Sequence, residues 1–387
     1  MKLRLQYVFT LNLMLVFSMY STSIKQLSIP MFIEKYSSVN CIQCTEKHPF
    51  NMTPFPLYPE FINNFPAQGH FKPVFILQIP DGIALFSHDY YSGLNYVFFN
   101  NCFIKETQIK YFNWFNGDEF EIEDISNNVK KVQGRVAILS HHVPDCYGHW
   151  IFDILGQLAM LEIHHIEYDY LCVPYYTKFM KETLEIWGID SSKIIPLTHQ
   201  AGIQADSIIM VTPVTQIEAL VAANVNYSMD FILKYIRNKL LSGVNSIHEP
   251  TTFSNKIFIS RKNASRFVPN EDEIFALFEA RGFQRYELTE MSIVQQIQLF
   301  YNAQTIVSFV GSGSTNIIFC RPGTHYIEIV QKTVDATFFY VADIFKLQYS
   351  YIDNSTFHDL VNGHQFTPAT TFPISLVEDF LRQHLNS

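Results

Sequence analysis

Apolar and polar residues follow two different rhythms along this chain. Residues 26–70 are rich in Pro and Asn with little periodicity and read as an irregular lead-in. From Phe71 to about Glu106, short β-type runs such as PVFILQIP and YVFFN are separated by the turn residues Pro80-Asp81-Gly82 and Ser92-Gly93. That spacing predicts a small antiparallel element. From residue 135 the rhythm changes. RVAILS (135–140) reads as a buried strand, DCYGHWIFDIL (145–155) opens a helix to about His164, and YDYLCVP is a strand. TKFMKETLEIWGI is a helix ending near Gly188, and KIIPL and DSIIMVTP are two more strands. Strand alternating with helix predicts parallel βαβ units.

A helix over 229–242, MDFILKYIRNKLLS, precedes GVNSIHEPTTFSN, which reads as a domain boundary. The alternation then restarts with KIFISR (256–261) and the helix NEDEIFALFEARGF, stopped by Gly282. SIVQQIQLFYNA opens with Ser292 and Gln295 at capping-box spacing. TIVSFV (305–310) suits a central parallel strand, GSGSTN turns into a short helix, and HYIEIV (325–330) is the next strand. The predicted fold class is α/β, with two α/β halves in tandem and a cleft between them.

Length agrees, since 387 residues exceed one compact core. A net charge of −9 without a long run of one sign argues against a nucleic-acid partner, which needs a basic surface. At the N-terminus, Lys2 and Arg4 precede an apolar run from about Leu5 to Tyr20. Residues 1–25 therefore read as a signal peptide or signal anchor, with a buried N-terminal helix as the alternative. The expectation is a secretory or Golgi-type lumen if the source is eukaryotic, and membrane association if bacterial. The six cysteines permit disulfides without requiring them, and Cys41-x-x-Cys44 has no second pair to complete a zinc site. Sequons at Asn51, Asn226, Asn263 and Asn354 add little.

Three places carry candidate chemistry. The turn Gly311-Ser312-Gly313-Ser314-Thr315-Asn316 joins a strand to a helix, where small residues let backbone N–H groups approach an anion. It fits neither the dinucleotide fingerprint, nor the P-loop, nor the nucleophile elbow. A pyrophosphate or nucleotide cradle of another kind and a plain tight connection both stay open. Second, Arg261, Lys262 and Arg266 follow the first strand of the second half, at the end where open α/β sheets bind ligands. Guanidinium forks match phosphate oxygens there, and a solvated loop is the alternative. Third, His149 and Asp153 stand one helical turn apart with Gln157 continuing the line, while Trp150, Ile154, Leu158 and Leu161 form another face. A carboxylate one turn from an imidazole holds it in one tautomer, as a general base for a hydroxyl requires. A structural His–Asp hydrogen bond is the alternative, and Cys146 with His149 as a thiol nucleophile is a third reading. No Asp-x-Asp and no His-Glu-x-x-His occurs, so no metal site is expected.

Taken together, YGHWIFDILGQLAMLE, ISRKNASRFVPNEDEIFALFEARGF and LTEMSIVQQIQLFYNAQTIVSFVGSGSTNIIFCRPGTHYIEI resemble glycosyltransferase family 61 in order and spacing, over about residues 75 to 330. That family includes plant xylosyl- and arabinosyltransferases and animal O-linked N-acetylglucosaminyltransferases. The resemblance implies a GT-B architecture of two Rossmann-like domains facing a cleft, behind a small β-rich N-terminal element. Residues 26–245 would be the acceptor-side domain and 246–387 the nucleotide-sugar-binding domain. It implies inverting, metal-independent transfer from a nucleotide sugar, expected to be UDP-linked, to a glycan or glycoprotein hydroxyl, with no cofactor. His149, or alternatively Asp153, would act on the acceptor. By the resemblance Arg261, Arg266, Gly311, Gly313 and Asn316 would hold the donor's diphosphate, and Glu328 its ribose or sugar; Lys262, Ser312 and Ser314, their neighbours in the same two loops, are expected to join them. One departure stands out: Val310 precedes Gly311 where the family usually has histidine. That leaves an inactive, binding-only protein of the same fold as the second reading.

Overall fold

The computed structural model of the protein describes residues 25–27, 31, 34–45, 49–51, 68–86, 95–99, 102–104, 129–141, 143–197, 202–215, 229–245, 252–264, 267–331, 336–354 and 370–385. They fall into two compact units. One draws on 1–48, 72–181 and 189–214, the other on 49–71, 182–188 and 215–387. The expected boundary near residue 245 therefore moves to 214/215, and the helix Asp230–Asn245 counts with the second unit. The physical reason is Arg237 on that helix, whose guanidinium donates to the carbonyls of Ile318 and Cys320 and stacks on Phe345.

In chain order, the strands begin with β1 (Lys25–Leu27) and β2 (Asn40–Gln43). Next come β3 (Pro49–Asn51) and β4 (Gln68–His70), which pair with each other in the second unit. The first unit continues through β5 (Phe75–Pro80), β6 (Ile83–Phe86), β7 (Asn95–Phe99), β8 (Cys102–Ile104) and β9 (Val129–Ile138). It ends with β10 (Tyr170–Val173), β11 (Ile194–Pro196) and β12 (Gly202–Val211). These form one mixed sheet in which β12, β9, β10 and β11 run parallel in that order. β5 and β6 pair antiparallel with β12, and β2 and β7 extend them. The β-rich N-terminal element thus exists, but it is hydrogen-bonded into the first α/β sheet through β12. Leu77, Ile79, Val136, Ile138, Cys172, Ile208 and Met210 supply its apolar core.

β9 bends at a bulge, where the pairing with β12 slips between Ala205 and Ser207. Gly134 sits there at φ +108°, a conformation costly for side chains, and Asp169 crowds the space a Cβ would fill. Asp169 accepts from the Arg135 amide at 2.8 Å and from its guanidinium in two places. The guanidinium is the main reason the Asp169 carboxyl is lowered to about 2.

The second unit holds β13 (Lys256–Ile259), β14 (Gln284–Tyr286), β15 (Thr305–Phe309), β16 (His325–Val330) and β17 (Gln348–Asp353). The sheet order is β14-β13-β15-β16-β17, and every pair is parallel. In sequence terms this is the 2-1-3-4-5 order of a doubly wound sheet, with its topological switch point between β13 and β15. Phe258, Phe278, Val307, Ile327 and Ile352 fill the core, covered partly by Val377 and Leu381 of the C-terminal helix Ile374–His384. Ser292 caps the helix Ile293–Asn302 in a complete capping box with Gln295, as its spacing predicts.

Among the described residues, no helix is long and apolar enough to cross a membrane. The expected secretory or membrane-associated placement through a single N-terminal hydrophobic segment is accordingly withdrawn. The run on which it rested, Leu5 to Tyr20, lies outside the described residues.

Candidate active site

The His-Trp segment forms a continuous helix with an irregular start. An α turn, Tyr147–His149, passes into a π-helical stretch, Trp150–Ile154, and then into the α-helix Leu155–Ile163. Such π stretches are rare and concentrate at functional sites. Trp150 is fully buried and meets the Phe179 ring edge-on at 6.0 Å. That packing fixes the helix, and the opposite row looks toward the end of β9. Gln157 accepts from the Ser140 amide at 3.1 Å and donates to its carbonyl at 3.2 Å. One turn earlier, the buried Asp153 places Oδ2 3.0 Å from His149 Nδ1. The expected pair is therefore present, with His149 Nδ1 facing the carboxylate.

A third residue completes the group. His141, just past β9, is 4% exposed and brings Nε2 to 3.7 Å from Asp153 Oδ2. Its ring stacks on that of His149, with centroids 4.3 Å apart. His141 went unnoticed in the sequence because it lies eight residues from His149 in another element. Among the described residues, His141, His149 and Asp153 are the side chains close enough to share a cation. His141 Nδ1 lies 3.1 Å from the Val143 amide, which can only donate. Nδ1 must therefore accept, and a neutral ring then carries its proton on Nε2, the atom a metal would need bare.

In the second unit, the loops after β13 and β15 meet at the switch point. Arg261 donates through Nη1 to the carbonyl of Val310, and its guanidinium fills the space that a Cβ on Gly311 would occupy. Gly311 is extended, at φ 167°, so its backbone suits any residue, and a Cβ there would displace the end of the Arg261 side chain. Only the backbone of Val310 takes part in this contact, so a side-chain difference at that position leaves it intact. Glu271, in the first turn of the helix Glu271–Glu279, fixes the loop from below. Its carboxylate accepts from Ser260 Oγ at 2.6 Å and from the Arg261 amide at 2.7 Å, and the residue is 3% exposed. Glu271 is a second positioning residue that sequence reading missed, because acidic residues in a first helical turn are ordinary.

The remaining expected residues divide. Gly313 and Ser312 are half-buried at the start of the 3-10 helix Ser312–Phe319. The Ser314 amide is taken by the Gly311 carbonyl at 2.9 Å, and its hydroxyl lies 2.9 Å from that of Ser308. Asn316 is fully buried, donating to Gln296 at 3.0 Å and to the Gly313 carbonyl at 3.3 Å. Ser314 and Asn316 therefore brace the turn from inside, which leaves Gly311–Gly313 as the part of the expected cradle not taken up by these contacts. Lys262 is exposed and paired with Asp272 at 3.1 Å. Arg266 lies outside the described residues. Glu328, expected at the donor's ribose or sugar, is fully buried, with one oxygen 3.0 Å from the Tyr326 hydroxyl and the other 2.7 Å from that of Tyr349. Burial, reinforced by the Glu328 charge, holds both phenols well above their ordinary pKa, so they stay protonated donors.

Residues 147–327 match the family model described as Glycosyltransferase 61. The matched stretch contains His149, Asp153, Arg261 and the Gly311 turn, and His141 precedes it. No curated protein matches the chain.

Proposed function

With residues 147–327 placed in glycosyltransferase family 61, we propose that this chain transfers a sugar, with inversion, from a nucleotide-sugar donor to a hydroxyl of a glycan or glycoprotein acceptor, on a GT-B arrangement. The observation that carries the donor half is the guanidinium of Arg261 lying over Gly311 at the β13/β15 switch point. Open doubly wound sheets bind anionic ligands at that place, at the carboxyl ends of their strands. As the bond from the anomeric carbon to the diphosphate oxygen breaks, its electron pair leaves with the nucleoside diphosphate, and Arg261 with the amides at the start of the turn offsets that charge. The acceptor oxygen supplies the pair for the new bond to the anomeric carbon. Its proton passes to His149 Nε2, while Asp153 stabilises the imidazolium formed. UDP is the expected nucleotide, and the first unit is expected to receive the acceptor.

A panel of nucleotide sugars and their free diphosphates, titrated by calorimetry and assayed for turnover, tests the reading in wild type and Gly311→Ala. The alanine methyl displaces the Arg261 guanidinium, so diphosphate affinity should fall about tenfold or more, equivalent to about 1.4 kcal/mol. Unchanged affinity in Gly311→Ala refutes the donor site. Val310 in place of the family's usual histidine favours one second reading, a binding protein without turnover. Tight diphosphate binding with no transfer from any donor would select it.

A further inference from the structure

Proton transfer as described uses His149 and Asp153 and leaves the buried His141 unexplained. Burying an imidazole is unfavourable unless its nitrogens find partners, and both nitrogens of His141 face polar groups. Nδ1 receives the Val143 amide at 3.1 Å, and Nε2 faces Asp153 Oδ2 at 3.7 Å. The first contact fixes the tautomer, since the amide has only a proton to offer, and it directs the His141 N–H at the carboxylate. The same carboxylate oxygen, 3.0 Å from His149 Nδ1, selects the Nδ1–H form of His149 and puts that ring's lone pair on Nε2. The stacked rings, 22° from parallel, keep His149 from turning about its side-chain bonds.

We infer that His141 is a positioning residue for proton transfer, a neutral imidazole of fixed tautomer that directs an N–H at Asp153 and stacks on His149, so that base and carboxylate hold one arrangement. The inference rests on the glycosyl-transfer reading. At 3.7 Å the contact with Asp153 is electrostatic rather than a hydrogen bond. His141 therefore orients the carboxylate without taking its lone pair from His149.

Two variants separate the nitrogens from the ring. His141→Phe keeps the volume and the stacking but removes both nitrogens, and His141→Gln returns an N–H donor at the far end. In His141→Phe, kcat should fall about tenfold or more while the KM for the nucleotide sugar stays unchanged. His141→Gln should recover most of the loss. Wild-type kcat in His141→Phe, or equal losses in both variants, would overturn the inference. Nitrogen-15 spectra of the histidine rings decide the point without turnover, so a failure of the transfer reading remains distinguishable. The expected result is Nε2–H on His141 and Nδ1–H on His149 in the wild type, with mixed tautomers of His149 in His141→Phe. A proton on His141 Nδ1, an unaltered His149 in the variant, or Zn2+ binding by the wild type that His141→Phe abolishes would each overturn it.

Discussion

Asp153 is 1% exposed, and both His149 Nδ1 and His141 Nε2 face its Oδ2. Asp153→Asn keeps the size but presents an N–H or a weaker carbonyl to His149 Nδ1. Where the amide N–H faces the ring, Nδ1 must accept, and the proton moves to Nε2, the atom proposed to receive the acceptor's. A fall in kcat of about 10² or more is expected, with nucleoside diphosphate affinity preserved. Steady-state kinetics paired with calorimetry reads both. The pair itself was legible in the sequence, because i,i+4 spacing survives the π turn. His141 was not, because no local period connects a residue after β9 to a helix that follows it. Glu328 was legible as a carboxylate on a parallel strand, but its burial between the Tyr326 and Tyr349 hydroxyls was not.

Elements with a strong period were read well: the helices Lys178–Trp187 and Ile293–Asn302 and the strands β13, β15 and β16 match their expected runs. Short or polar elements escaped. β14 and β17 each open on an exposed Gln, carry half-buried Arg or Tyr after it, and lack an apolar run. The first part of β9, VKKVQG, mixes exposed and half-buried residues around two lysines, and pairing with β12 rather than composition makes it a strand. The bulge within it depends on Asp169. That carboxyl is lowered to about 2 by Arg135, so the folded state holds its proton more weakly than the unfolded chain does. The linked stability is complete above about pH 4 and is lost as pH falls toward about 2. Urea denaturation across that range should show the loss in the wild type, and Asp169→Asn should flatten it. An identical slope in the variant would mean that other carboxylates dominate.

At the scale of the whole molecule, the two α/β halves were legible from the restart of the strand–helix rhythm at residue 256. The boundary was not, because the helix Asp230–Asn245 reads as the end of one half by chain order and joins the other by the Arg237 contacts. Sheet order was equally hidden, since periodicity says that β13 and β15 are parallel but not that they are neighbours. That adjacency gives a prediction for the intact chain. Hydrogen exchange with saturating nucleoside diphosphate should slow at 260–264 and 310–314 while β9 and β10 exchange as before. Protection confined to the first unit would place the ligand elsewhere.

The guanidinium over Gly311 has a further consequence for how this sequence can vary. Positions 261 and 311 compete for one volume, so the effect of a change at either depends on the state of the other. A methyl at 311 meets the end of the Arg261 side chain, so its cost should depend on whether arginine stands at 261. Drift through this turn is therefore ordered. The cation departs first and the glycine is released afterwards, so a descendant retaining both has kept the option of gripping an anion there.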